Sequence, residues 1–158
     1  MTGKHQNTIT IQKQHNRMEQ KVGFTLLGLN TEQFATFEDN FSEKKKSNLT
    51  TGLEFKISKE KKQIGVYVTF TFEQTKKAFL KIQVSCHFGV APESWDKFCS
   101  GSTIVFPKGF ISHITMLTVG SARGVLHAKT DGTIFNKFLL PVIDVTAMIN
   151  EDAVFPLT

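Results

Sequence analysis

Polar aromatic residues are nearly missing from this chain of 158 residues, which has one Trp and one Tyr. Cysteine is scarce as well: Cys86 and Cys99 lie thirteen positions apart, outside any CxxC pattern and away from clustered histidines. That usage excludes a disulfide scaffold and a Cys-rich metal site, and it predicts a reduced pair in a cytoplasmic protein. No apolar run approaches the roughly 18 residues of a membrane span. The N-terminal stretch MTGKHQNTITIQKQHNRMEQ lacks the uninterrupted apolar core of a secretory signal. The expectation is a soluble chain without membrane insertion.

Catalytic signatures are missing too. His87, His113 and His127 are scattered over a strand, a helix and the segment beyond it, with no HExxH and no GxSxG elbow. The acidic residues form no pair on a periodic segment. Gly120-Ser-Ala-Arg-Gly124 follows a helical run and so does not form a phosphate loop between strand and helix. Cys86 falls on the apolar face of its strand, as a buried thiol does. The chain therefore reads as a non-enzyme, with no catalytic residue, metal or cofactor.

What is abundant is phenylalanine, fifteen in all. Phe has no polar handle, so such a set either fills a large core or lines an apolar groove. The length suits one domain with its own core. The formal net charge is +5, which fits a solvated surface or a preference for acidic partners.

Residues 1–20 carry Ile9, Ile11 and Met18 among polar groups and read as a flexible arm, with enough alternation at Ile9 and Ile11 to dock as a strand on a neighbour. A domain spans residues 21–150, and 151–158 read as a frayed tail. Within the domain, KVGFTLLGL (21–29) predicts a strand with bends. The following segment, with Phe34, Phe37 and Phe41, reads as a crossing loop that ends in the lysine run 44–46. GLEFKIS (52–58) and IGVYVTFTF (64–72) alternate cleanly, and AFLKIQVSCHFGV (78–90) places Ala78, Leu80, Ile82, Val84, Cys86, Phe88 and Val90 on one face. Short polar turns between them predict antiparallel neighbours.

A one-sided sheet must be covered. APESWDKFCSGS breaks the strand pattern, and a helix then opens at Pro107. Phe110, Ile111, Ile114, Leu117 and Ser121 recur at helical spacing and are expected to meet the sheet. Gly120, Ser121, Ala122 and Gly124 leave the helix's second half almost without bulk. Two readings stand there: a close helix–helix contact in an oligomer through Ile114, Leu117, Gly120, Ser121 and Gly124, or a helix that Gly124 ends. The connector from Val125 and the segment LLPVIDVTAMI complete the domain.

The residues Val105-Phe106-Pro107, Ala122-Arg123-Gly124 and Leu139-Leu140-Pro141-Val142-Ile143-Asp144 mark a helix start, a helix end and a Pro-anchored segment. In these motifs and in the order of its elements, over roughly residues 21–149, the chain resembles the SecB-like chaperones. The resemblance implies an α+β fold: a four-stranded antiparallel sheet covered on one face by a long helix, plus a short C-terminal helix. It also implies an ATP-independent holdase that assembles as a dimer of dimers and takes unfolded client polypeptides into apolar grooves. On this chain those grooves would be lined by Phe24, Phe34, Phe37, Leu126, Phe135, Phe138, Leu139 and Leu140.

Two departures accompany the resemblance. The family is typically acidic and couples to the export motor SecA through an acidic sheet surface, whereas this chain is basic, so a dedicated chaperone fits at least as well as an export factor. Seventeen positions also separate Gly124 from Pro141, a longer connector than the export chaperones show. The alternative is a basic module that binds nucleic acid or an acidic protein on its lysine turns. The outward sheet face, with Tyr67 but no RNP-like aromatic pattern, speaks against nucleic acid.

Overall fold

The computed structural model describes residues 22–157. The expected arm at 1–20 lies outside the described residues. Four strands form one antiparallel sheet: β1 (Phe24–Thr36), β2 (Asn48–Ser58), β3 (Gln63–Gln74) and β4 (Lys77–Val90), in the order β1-β4-β3-β2. A meander of β2, β3 and β4 thus receives β1 on its far side, and residues 37–47 cross one end of the sheet through a 3-10 turn at Glu38–Asn40. The long helix α2 (Lys108–Thr130) lies over β3 and β4, and the one-turn helix α3 (Val145–Met148) follows the connector. The fold is the α+β arrangement that the sequence leads one to expect.

Alternation carries the two central strands. Ile64, Val66, Val68, Phe70 and Phe72 of β3 are buried, with Leu80, Ile82, Val84, Cys86, Phe88 and Val90 of β4 beside them. One irregularity matters. Phe72 is opposite Leu80 but Glu73 is opposite Ala78, so Phe79 is the extra residue of a bulge. Phe79 and Leu80 are consecutive and both fully buried, which strict alternation does not allow; Ala78, expected inward, is half-exposed.

β1 is longer than expected. It runs through the polar tract 30–33 to Thr36 because two bulges, at Leu27 and at Glu32, absorb the breaks in its alternation. Phe34 therefore sits on a strand and not on a crossing loop. At the first bulge Leu27 lies over Gly89, where an added Cβ would come within 3.0 Å of Leu27 Cδ1.

The segment read as irregular contains helix α1 (Pro92–Phe98), with Pro92 in its first turn and Trp95 and Phe98 buried. A second sheet, in the order β5-β6-β7, joins β5 (Cys99–Ser100), β6 (Thr103–Phe106) and β7 (Ala153–Pro156). The tail expected to fray is thus a strand, its Phe155 opposite Ile104. Asp152 just before it accepts a hydrogen bond from the Lys108 amide at 2.9 Å and so caps α2, whose own N-cap, Pro107, has no side-chain donor or acceptor.

Helix α2 continues past Gly120 and Gly124 to Thr130, which corrects the reading that Gly124 ends it. Each glycine costs a helix about 1 kcal/mol relative to Ala, but burial of Ala122, Leu126 and Thr130 on the other side offsets this. The buried stripe is also rotated from expectation. Leu117 is 44% exposed, whereas Thr115 and Thr118 are buried. Thr118 hides its hydroxyl by donating to the Ile114 carbonyl at 2.8 Å and turns a methyl to the core.

Fourteen of the fifteen phenylalanines are buried or half-buried, and Phe37 is the exposed one. Ten of them form two groups. Phe41, Phe72, Phe79, Phe135 and Phe138 close the end of the sheet at the β3–β4 turn, with centroids 5.0 to 6.3 Å apart. Phe24, Phe88, Phe98, Phe106 and Phe110, with Trp95, fill the other end. Both groups belong to the core.

Candidate functional site

Helix α2 covers the middle of the sheet and leaves apolar surface along both flanks. On the β1 flank, Leu26 stands opposite Phe88 and Leu29 opposite Cys86, so both point to the helix side of the sheet. Both remain exposed. His113 of α2 meets Phe24 edge-on at 5.7 Å, and Leu117, Gly120 and Gly124 continue the same flank at helical spacing. An added Cβ on either glycine would meet nothing within 4 Å. Met116 is exposed next to Leu117. The strand on this flank, β1, is an edge of the sheet and 13 residues long.

On the β2 flank lies an open cleft of about 370 Å³. Leu53 and Phe55 of β2, Ile111 of α2, Met148, Ile149 and Ala153 make its apolar lining, and Asn150 and Glu151 its polar rim. The chain from 139 to 142 lies against α2, held by Arg123: its Nε donates to the Leu140 carbonyl at 3.3 Å and its Nη2 to the Pro141 carbonyl at 3.0 Å. Leu140 points inward, while Leu139 is 63% exposed and Val142 almost fully so. Asp144 ends this segment as the N-cap of α3. Its carboxyl is held below the usual aspartate range by the Thr146 hydroxyl and then by the Ala147 amide.

The eight residues expected to line client grooves do not share one surface. Leu126, Phe135 and Leu140 are buried, with at most 4% exposure, in the protomer's own core. Phe24, Phe34 and Phe138 are half-buried, and Phe37 and Leu139 are exposed at different places. The physical reason is the crossover, which leaves the end of the core open; the connector's phenylalanines close it, as when Phe135 stacks on Phe79 at 5.7 Å. Of the residues expected at an oligomer contact, Leu117, Gly120 and Gly124 are exposed, and Ser121 is half-buried with its hydroxyl on the Leu117 carbonyl. Ile114 is fully buried and faces the sheet, so it makes no outward contact.

A polar chain unforeseen from sequence crosses the uncovered face of the sheet. Ser85 donates to Glu32 Oε1 at 2.5 Å, and His87 Nε2 lies 3.1 Å from the same hydroxyl. Which of the two donates in the Ser85–His87 contact depends on the imidazole tautomer. Ser85 is fully buried beneath its neighbours, out of reach of a substrate. The 85/87 alternation is visible in the sequence, but Glu32 joins it only through the β1 bulge. His127 offers its backbone carbonyl to the Asn136 side chain at 3.1 Å. Among the described residues no three His, Cys, Asp or Glu side chains converge as metal ligands, and no helix is long and apolar enough to cross a membrane.

The chain matches no protein-family model and no curated protein.

Proposed function

We propose that this chain is an ATP-independent holdase of SecB-like type, which keeps unfolded polypeptides from aggregating by binding their apolar stretches. The observation that carries the reading is the pair of open apolar flanks along α2: Leu26, Leu29 and Leu117 on one side, and the cleft lined by Leu53, Phe55 and Ile111 on the other. Contiguous apolar surface of this kind marks interaction sites in soluble folds. The two flanks differ in character. The β1 flank joins a strand that is an edge of the sheet among the described residues to small helix residues, which suits a second copy of the chain, with β1 edges side by side between the bulges and the Gly120–Gly124 faces close together. The β2 cleft and the Leu139–Val142 ridge suit a client's apolar side chains. Groove residues are thus reassigned from Leu126, Phe135 and Leu140 to Leu53, Phe55, Leu139 and Met148, with the buried Ile111 as the floor of the cleft.

We place the protein in the cytoplasm, in keeping with Cys86 and Cys99 as free thiols. Coupling to SecA is not part of the proposal. The test is aggregation of a reduced, unfolded protein followed by light scattering, with and without the chain. Suppression at near-stoichiometric ratios, together with a complex on size exclusion, is expected. Unchanged aggregation and no complex would remove the reading.

A further inference from the structure

The end of the sheet at the β3–β4 turn carries a feature that apolar capture alone does not require. Gln74 pairs with Lys77, so the turn consists of Thr75 and Lys76. Both have left-handed backbones, with φ of 51° and 62°. Such two-residue turns favour Asn-Gly, and a β-branched threonine there costs energy.

Gln74 also fastens a second lysine loop to this tip. Its side chain is buried, its Oε1 accepts from the Ser42 amide at 2.8 Å, and its Nε2 serves the carbonyls of Ser42 and Lys45 and the Ser47 hydroxyl at 3.0 to 3.2 Å. Lys44, Lys45 and Lys46 are thereby held beside Lys76 and Lys77. Among the described residues none of these five has a carboxylate within ion-pair distance. Glu43 is occupied by Lys137 at 2.8 Å, and Glu73 faces the Thr50 hydroxyl. Glu38 and Asp39 stand on the neighbouring 3-10 turn. Apolar surface borders the cluster: Phe37 is exposed, with its amide bonded to the Phe79 carbonyl at 2.8 Å, and Ile134 is exposed one residue before Phe135, which stacks on Phe79.

We infer that this end selects, among unfolded clients, those whose apolar stretches are flanked by Asp or Glu. The inference rests on the holdase reading. A carboxylate-flanked peptide engages the lysines and the Phe37–Ile134 surface together, whereas a nucleic acid could stack a base on Phe37 but not on the aliphatic Ile134, so a peptide is the favoured occupant.

Two labelled peptides with the same Leu/Phe core, one flanked by Glu and one by Lys, test this by fluorescence anisotropy. They are compared on the full chain and on the variant Lys44→Gln, Lys45→Gln, Lys46→Gln, Lys76→Gln, Lys77→Gln, whose changes are all at exposed positions. The Glu-flanked peptide is expected to bind about tenfold tighter at low salt. That preference should vanish in the variant and at about 1 M salt, where the screening length is roughly 3 Å. Equal binding of both peptides to the full chain would overturn the selection and leave the holdase reading standing. Binding of neither would overturn both. More effective displacement of the Glu peptide by a single-stranded oligonucleotide than by the unlabelled peptide would reassign the lysines to nucleic acid.

Discussion

Phe135→Ala separates a phenylalanine that builds the core from one that lines a groove. Phe135 is 1% exposed, stacked on Phe79 at 5.7 Å and edge-on to Phe41 at 5.5 Å. Truncating a ring so enclosed costs about 3–5 kcal/mol, the sum of lost transfer energy and the cavity left behind. With a urea m-value of about 2 kcal/mol/M, the unfolding midpoint should fall by roughly 2 M. The same loss lowers the melting temperature by roughly 10 °C. The assay is equilibrium urea unfolding followed by far-UV circular dichroism, with peptide binding measured on the folded variant at low temperature. Leu139→Ala is the counterpart: at its exposed position stability should change by less than about 0.5 kcal/mol, while client binding weakens. A midpoint shift below about 0.3 M for Phe135→Ala, accompanied by loss of peptide binding, would refute the assignment of this ring to the core.

Asp152→Ala should lower stability by about 0.5–2 kcal/mol through loss of the α2 cap, read as a fall in melting temperature; an unchanged value would mean that water replaces the carboxylate without cost. Gly120→Ala and Gly124→Ala should each favour the helix by about 1 kcal/mol within the protomer, because the added methyl meets open space. In the proposed assembly the same methyls keep two helices apart, so sedimentation should show a lower mass; an unchanged mass would take both glycines out of the interface. The Asp144 carboxyl should titrate below the ordinary aspartate value, as followed by carbon-detected NMR. A depressed folded pKa means that its contribution to the α3 turn is complete above the unfolded value and is lost as pH falls through the folded one. Thr146→Ala should bring the midpoint back toward the ordinary range; no movement would remove the hydroxyl as its leading cause.

Legibility followed the kind of signal each element carries. β3 and the core face of β4 were readable because Ile64 to Phe72 and Leu80 to Val90 alternate without interruption. The extent of β1 was not, since its bulges at Leu27 and Glu32 break the period that identifies a strand. Helix α1 was hidden behind Pro92, a residue that opens helices as readily as it ends strands. The rotation of α2 does not follow from hydrophobicity, because Leu117 outranks Thr118 on any such scale, while the threonine satisfies its hydroxyl within the helix and the leucine stays at the surface. The oligomer surface was partly visible in Gly120 and Gly124, but Ile114 belongs to the sheet side.

From the sequence alone came the one-sided sheet, the long helix after Pro107 and the excess of phenylalanine, because each is a local pattern with a local physical cause. Which phenylalanines are spent on the core, and which apolar flanks remain open, was decided by the tertiary structure. A residue's hydrophobicity fixes its wish for burial, but the crossover of β1, the β3–β4 bulge at Phe79 and the tail strand β7 determine whether this protein supplies the cover itself.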